Sequence, residues 1–313
     1  MQVMIRLIAA LALGCMALPA AAQDKVRILL DWFVNPDHAA LVIAKQRGLF
    51  TKHGLDVELI APADPNAPPK LVAAGQAEYA VSYQPTLQML VAEGLPLVRV
   101  GVLVAQPLNS LVALEDGPVK TIADFKGRKI GYSISGFEEA LLGAILEKAG
   151  LALKDVTLVN VNFALTTALM SKQVDGVIGA FRNFELNDLE LHKAKGRLWP
   201  VETSGVPTYD ELILVAKRET LDAARTAKLL AAIAEATTWL RANPAEAWEI
   251  FAKSGKDLDN ALNKLAWKDT LPLLAGDPTA LDRARYQTFA DFLVKRGLIK
   301  QAPPIDSYLR DIK

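Results

Sequence analysis

The segment Leu30-Asp31-Trp32-Phe33-Val34-Asn35-Pro36-Asp37-His38 holds the densest polar and aromatic chemistry in the chain. From Asp31 to His38 it offers an indole, two carboxylates, an amide and an imidazole. Such a set suits a flat, hydrogen-bonding small molecule: the indole stacks on the ring, and the polar groups meet its donors and acceptors. The segment lies between a strand-like run, Val26-Arg27-Ile28-Leu29-Leu30, and a helix-like run, Ala39 to Lys45. A strand-to-helix turn is where open α/β sheets bind ligands. The same residues also have structural work available. Asn35 can cap the helix, Pro36 suits its first position and Asp37 sits near the positive helix end. His38 can serve the helix start, and Trp32 can pack in the core.

Three further turns of this kind follow. Ser82-Tyr83-Gln84-Pro85 brings Tyr83, with a stacking face and a hydroxyl. Tyr132-Ser133-Ile134-Ser135-Gly136-Phe137-Glu138 precedes a helix, so its backbone N–H groups are open to an acceptor. It brings Ser133, Phe137 and Glu138, and Glu138 can equally stabilise the helix dipole. Ala180 to Glu185 brings Arg182, Asn183, Phe184 and Glu185, where Arg182 and Glu185 can also form an ordinary ion pair. Tyr209-Asp210-Glu211 adds Tyr209 from a connecting segment. Other chemistries find little support. The sequence has no HExxH, no Cys/His cluster, no EF-hand spacing, no Gly-Lys-Ser/Thr phosphate loop and no Gly-x-Ser-x-Gly elbow. His53 and His192 lie in lysine-rich surroundings that read as surface. No metal and no cofactor are therefore expected.

The elements that position these turns alternate between strand-like and helix-like, which argues for α/β with parallel strands. A faint echo runs through them at a spacing of about a hundred residues. Asp56-Val57-Glu58-Leu59 resembles Asp155-Val156-Thr157-Leu158, and the helix-to-strand passage into Tyr79-Ala80-Val81-Ser82 resembles that into Gly176-Val177-Ile178-Gly179. The strand ending at Asp31 pairs likewise with Lys129-Ile130-Gly131-Tyr132. Two lobes of similar topology are expected, joined by two crossings at Asn109 to Leu114 and Tyr209 to Val215. Lobe 1 is assigned residues 24–114 and 204–313, and lobe 2 residues 115–203. From Glu219 the chain reads as helical, broken at Asn243-Pro244, Leu271-Pro272 and Asp277-Pro278.

Residues 1–22 read as a secretory signal peptide: Arg6, a short apolar run from Leu7 to Leu18, then Ala20-Ala21-Ala22. Its apolar run is too short for a membrane span, and a lipoprotein reading of Cys15 meets a poor match in Ala12-Leu13-Gly14. Cys15 is the only cysteine, so the exported chain would have no disulfide or thiolate. Without Arg6 the 35 basic residues become 34, against 35 acidic ones. That balance, with no basic stripe, argues against a nucleic-acid partner.

The first motif, with Ala44-Lys45-Gln46-Arg47-Gly48-Leu49-Phe50 and Gly54-Leu55-Asp56-Val57, resembles the pyrimidine-precursor branch of ABC-transporter substrate-binding proteins. That branch shares its fold with the thiamine-pyrimidine synthases. Gly131 to Glu138, Gly179 to Glu185 and Val206-Pro207-Thr208-Tyr209-Asp210-Glu211-Leu212 resemble its ThiY-type members. The resemblance covers roughly Arg27 to Ala216. It implies a type II periplasmic binding protein fold, a monomer in the periplasm and no membrane-spanning segment. It also implies a ligand such as hydroxymethylpyrimidine or formylaminopyrimidine, handed to an ABC permease and its ATPase. Two other readings stay open: a receptor for another small solute, such as a sulfonate or flavin precursor, and a synthase-like enzyme. The related synthases rely on a cysteine-rich motif that this sequence lacks.

Overall fold

The computed structural model describes residues 23–312. The expected signal peptide, with Cys15, lies outside the described residues. Ten strands form: β1 Asp24–Leu29, β2 Leu55–Ile60, β3 Tyr79–Ser82, β4 Leu97–Val104, β5 Asn109–Leu114, β6 Lys129–Tyr132, β7 Thr157–Asn160, β8 Gly176–Phe181, β9 Gly196–Pro200 and β10 Leu212–Lys217. They build two five-stranded sheets, ordered β2-β1-β3-β10-β4 and β7-β6-β8-β5-β9. In the first, β1 runs parallel to β2 and β3, and β10 is antiparallel to β3 and β4. In the second, β6 runs parallel to β7 and β8, and β5 is antiparallel to β8 and β9.

The two sheets thus repeat one pattern. β1, β2 and β3 correspond to β6, β7 and β8, which are the segments that echo one another in the sequence. The strand runs show why each lies where it does. β4 is apolar but for Arg99 and is buried at every position, whereas β2 alternates buried and exposed positions at its start.

One expectation needs correction. Asn109–Leu114 was assigned to the first lobe as a crossing, but as β5 it pairs with β8 and β9 in the second sheet. Its apolar run is the inner strand of a sheet, with Leu111, Val112 and Ala113 at most 1% exposed. The chain instead passes between sheets at 105–108 and returns at 201–211. Each passage delivers a strand antiparallel to its new neighbours, β5 in one direction and β10 in the other.

Two groups, the buried Glu211 and the half-buried Arg182, tie these passages together. Glu211 Oε2 accepts from the N–H groups of Leu108 (2.6 Å) and Asn109 (2.9 Å) and from the Tyr209 hydroxyl (3.0 Å). Arg182 donates to the carbonyls of Pro107 (2.6 Å) and Leu108 (3.3 Å) and pairs with Glu202 at 2.8 Å. The helical tail follows. Ala223–Ala242 starts on an Asp222 cap and ends before Pro244, where Pro244–Lys253 begins. Ala223–Ala242 packs on the helix Ala39–Gln46, and Ala261–Thr270 touches both the Pro36–His38 turn and the helix Glu185–Leu191. The tail therefore reaches across both sheets.

Truncating Glu211 leaves buried donors unpaired, at roughly 1–3 kcal/mol each. Glu211→Ala is expected to lower the urea midpoint clearly, and Glu211→Gln, which keeps one acceptor, to recover part of the loss. An unchanged midpoint in Glu211→Ala would remove this carboxylate from the joint.

Candidate functional site

Between the sheets lies a narrow pocket that opens to solvent. Its lining includes Asp31, Trp32, Asn35, Asp37, Tyr83 and Phe137, together with Glu138, Phe181, Phe184 and Glu185. These come from all four strand-to-helix turns.

The first turn is organised around Asp31, which is 4% exposed. Its Oδ1 lies 2.9 Å from His38 Nε2, and its Oδ2 accepts from the Tyr83 hydroxyl at 2.8 Å. His38 Nδ1 accepts from the Asn35 N–H at 3.3 Å, so Nε2 carries the proton given to Asp31. Asn35 Oδ1 caps the short turn through the Asp37 N–H at 2.8 Å, with Pro36 in the first position. His38 thus stands behind Asp31 and orients it. Asn35 does the capping work and also lines the cavity.

Trp32 lines the cavity, but its ring packs against Phe163, with centroids 4.6 Å apart and planes at 68°. Its Nε1–H is buried with no partner among the described residues. Unpaired buried donors are rare in folded proteins. Tyr83 stacks on Phe137, with centroids 5.3 Å apart and planes at 21°, and Tyr209 braces Phe137 edge-on at 6.0 Å.

Four carboxyl groups, Asp31, Asp37, Glu138 and Glu185, face this cavity, and its lining carries no Lys, Arg or His. Burial pushes Glu138 and Glu185 up to about 8 and Asp37 up to about 6. Backbone N–H groups oppose that rise. Ser133 N–H donates to Glu138 Oε2 at 2.6 Å, and Phe181 N–H donates to Glu185 Oε2 at 2.6 Å. Asn183 Nδ2 donates to Asp37 Oδ1 at 2.6 Å. Near neutral pH the two glutamates therefore hold their protons most of the time. A protonated carboxyl both donates and accepts, which a carboxylate cannot do.

Gly179 makes room for one of them. At φ +101° it occupies a conformation that favours glycine, and a Cβ there would collide with Glu138 Oε1. Glycine inside the strand-like run Val177-Ile178-Gly179 is a sequence sign of close approach. From sequence, Gly179 enters only in the echo and in the segment that carries the family resemblance.

Of the residues singled out from sequence, Asp31, Trp32, Asn35, Asp37, Tyr83, Phe137, Glu138 and Glu185 meet at the cavity. His38, Ser133 and Asn183 sit behind it, each bonded to one of those residues or, for Ser133, through its N–H. Arg182 and Tyr209 do not reach it. Arg182 is held by Glu202 and two carbonyls at the passages, and Tyr209 bonds Glu211 and supports Phe137 from behind. The expected Arg182–Glu185 pair does not form: Arg182 pairs with Glu202. Sequence reasoning missed Thr270, whose Oγ1 accepts from Asn183 Nδ2 at 2.8 Å, and Asn66, which bonds Ser133 O and the Ser135 N–H across the cleft. Neither lies in a recognisable pattern.

Comparison with known proteins adds the following. The profile described as NMT1/THI5 like matches residues 35–247. A Haemophilus influenzae protein named for thiamine biosynthesis is 52% identical over 95% of each chain. The formylaminopyrimidine-binding protein of Halalkalibacterium halodurans is 30% identical over 81% of this chain and 77% of its own. A Legionella pneumophila relative, 24% identical over 84% of each chain, is named 4-amino-5-hydroxymethyl-2-methylpyrimidine phosphate synthase. Among solved structures, the periplasmic aliphatic sulphonate binding protein of Escherichia coli superposes with a TM-score of 0.70 at 18% identity, over 93% of each chain. The fold is that of the type II periplasmic binding proteins.

The raised glutamates give stability a pH dependence. In the unfolded chain Glu138 and Glu185 titrate near their ordinary 4.5, and in the fold near 8. Between those values the unfolded chain has lost protons that the fold retains, so stability falls as pH rises. The urea midpoint of the ligand-free protein is expected to drop from pH 5.5 to pH 8. The Glu138→Gln/Glu185→Gln double variant should flatten that slope, and an equal slope in both proteins would contradict the assignment.

Proposed function

The chain belongs to the NMT1/THI5-like family, and from that premise we propose that it is the solute-binding component of an ABC importer for a thiamine pyrimidine precursor. The observation that carries the reading is a pocket with aromatic walls, two buried glutamates whose pKa values burial raises, and the unpaired Trp32 N–H. An aminopyrimidine edge presents an exocyclic amino donor beside a ring-nitrogen acceptor. A protonated carboxyl matches that edge with its carbonyl oxygen and its O–H, and the Trp32 N–H serves a second ring nitrogen. Phe181, Phe184 and Leu165 supply apolar cover for the ring.

The cycle would run as follows. Residues 1–22 direct export, and the protein meets its ligand in the periplasm. Asp31, Trp32, Asp37 and Tyr83 come from the side of the first sheet, and Phe137, Glu138 and Glu185 from the side of the second. A ligand touching both sides favours the closed state, with 105–108 and 201–211 as the hinge. The closed form then docks on a permease served by an ATPase.

The wall chemistry also weighs the rival readings. A sulfonate or phosphate needs a cation or a cluster of free N–H groups. The first cavity has four carboxyl groups and no cation, and Arg182 is committed to Glu202. The same wall disfavours the phosphate that the synthase relatives are named for.

Titration calorimetry tests this directly. Hydroxymethylpyrimidine or formylaminopyrimidine is expected to bind with Kd near or below about 1 µM, roughly −8 kcal/mol. The phosphate ester and an alkanesulfonate should bind at least about 100-fold more weakly. Trp32→Phe, which keeps a ring but loses the N–H, should weaken pyrimidine binding about 5- to 20-fold, in keeping with a lost hydrogen bond of ~1–2 kcal/mol. Tight sulfonate binding without pyrimidine binding would overturn the reading.

A further inference from the structure

The segment 61–67 leaves β2 on the first sheet's side of the cleft and leads into the helix Pro68–Ala73. Pro62 and Pro65 fix two of its φ angles. Asp64 Oδ1 accepts from the Asn66 N–H at 2.9 Å and from Asn66 Nδ2 at 3.1 Å, so the side-chain amide is oriented from within its own segment. Across the cleft that amide meets the turn after β6. Its Nδ2 donates to the Ser133 carbonyl at 3.1 Å, and its Oδ1 accepts from the Ser135 N–H at 2.9 Å. Two bonds from one planar amide to two backbone groups fix the approach in distance and in direction. The gripped turn is held in its own lobe by Glu138, through the Ser133 N–H, and by Glu139, through the Gly136 N–H. Glu138 lines the pocket, whereas Asn66 does not. Asn66 edges a second opening of the cleft, with Pro65, Ser135 and Gly136.

We propose that Asn66 is a positioning residue that latches the two lobes together, setting how long a ligand stays and not which ligand is chosen. The inference rests on the solute-binding reading above. Separation of the lobes at the hinge carries 61–67 away from 133–135, so both bonds exist only in the closed form. Contacts made only on closing stabilise the closed state and leave the open state, which the ligand enters, unchanged. Their loss therefore falls on the dissociation rate and spares the association rate. The gripped turn also holds Glu138, so closure and the placing of that carboxyl are mechanically joined.

The test is stopped-flow binding of formylaminopyrimidine and hydroxymethylpyrimidine to the wild type, Asn66→Ala and Asn66→Asp. Each hydrogen bond lost corresponds to about fivefold in the closed population, which is about 1 kcal/mol. Asn66→Ala should raise the dissociation rate about 5- to 25-fold, with the association rate within about twofold. Asn66→Asp keeps an acceptor for Ser135 but turns a charge on the Ser133 carbonyl, so its dissociation rate should rise at least about fivefold. Each factor should be the same for both pyrimidines, because the latch touches neither. The thermal midpoints of the unliganded variants should stay within about 1 °C of the wild type, whereas a role in folding would lower them by about 4 °C or more. An unchanged dissociation rate in Asn66→Ala, a lowered midpoint, or unequal factors for the two pyrimidines overturns the latch and leaves the solute-binding reading standing. If the wild type binds neither pyrimidine, that reading falls, and small-angle scattering of the unliganded proteins decides the latch. Asn66→Ala should then show a larger radius of gyration than the wild type, and an equal one overturns the latch as well.

Discussion

Three buried glutamates meet no neutralising ion pair and are satisfied by the backbone N–H groups where strands end or begin. Glu138 takes the N–H after β6, Glu185 the last N–H of β8, and Glu211 the N–H groups leading into β5. Each carboxyl fixes a turn that would otherwise expose unpaired donors to a dry interior. Each also places an acidic group, pushed up by burial, in or beside the cleft between the sheets. Structure and recognition therefore share the same atoms. An amide or an ion pair could satisfy one role but would change the other.

The repeated sheet order gives this constraint its reach. Each sheet contributes two strand-to-helix turns to the cleft, and each receives its antiparallel strand from the passage that also forms the joint. Relative motion of the lobes must then pass through 105–108 and 201–211. Arg182 and Glu211 bond those two segments to one another, so bending is confined to a short double connection. Arg182 shows how a residue at a site turn can belong to the joint: its backbone follows β8, while its guanidinium reaches Glu202 and the carbonyls of Pro107 and Leu108.

Much of this was legible in the sequence because it is local. The first turn is specified within eight residues, from Asp31 to His38: the cap, the proline and the polar groups all lie there. The echo between lobes was legible because similar βαβ units impose similar apolar runs and helix stops. What escaped was set by distant partners. Thr270 meets Asn183 from 87 positions away, and Asn66 meets Ser135 from 69. The apolar run of β5 suits an inner strand of either sheet, and only the pairing with β8 and β9 decides which. Arg182 misled for the opposite reason: a cation beside strand-end polar residues is as well suited to a hinge carbonyl as to a ligand.

Contacts span the cleft: Asp37 with Asn183, Asn66 with Ser133 and Ser135, and Tyr83 with Phe137. A ligand shifts the balance between open and closed only by its differential interaction with the two states. On the proposed function, the acidic cluster would set that differential. Burial raises the cost of ionising Glu185, and the nearby Asp37 adds to it. A guest that donates hydrogen bonds to these carboxyls relieves the opposition, whereas an anion adds to it. On the proposed function, the cross-cleft bonds would hold the lobes close enough to sense a guest, and the carboxyls would leave part of the closing energy for that guest to supply.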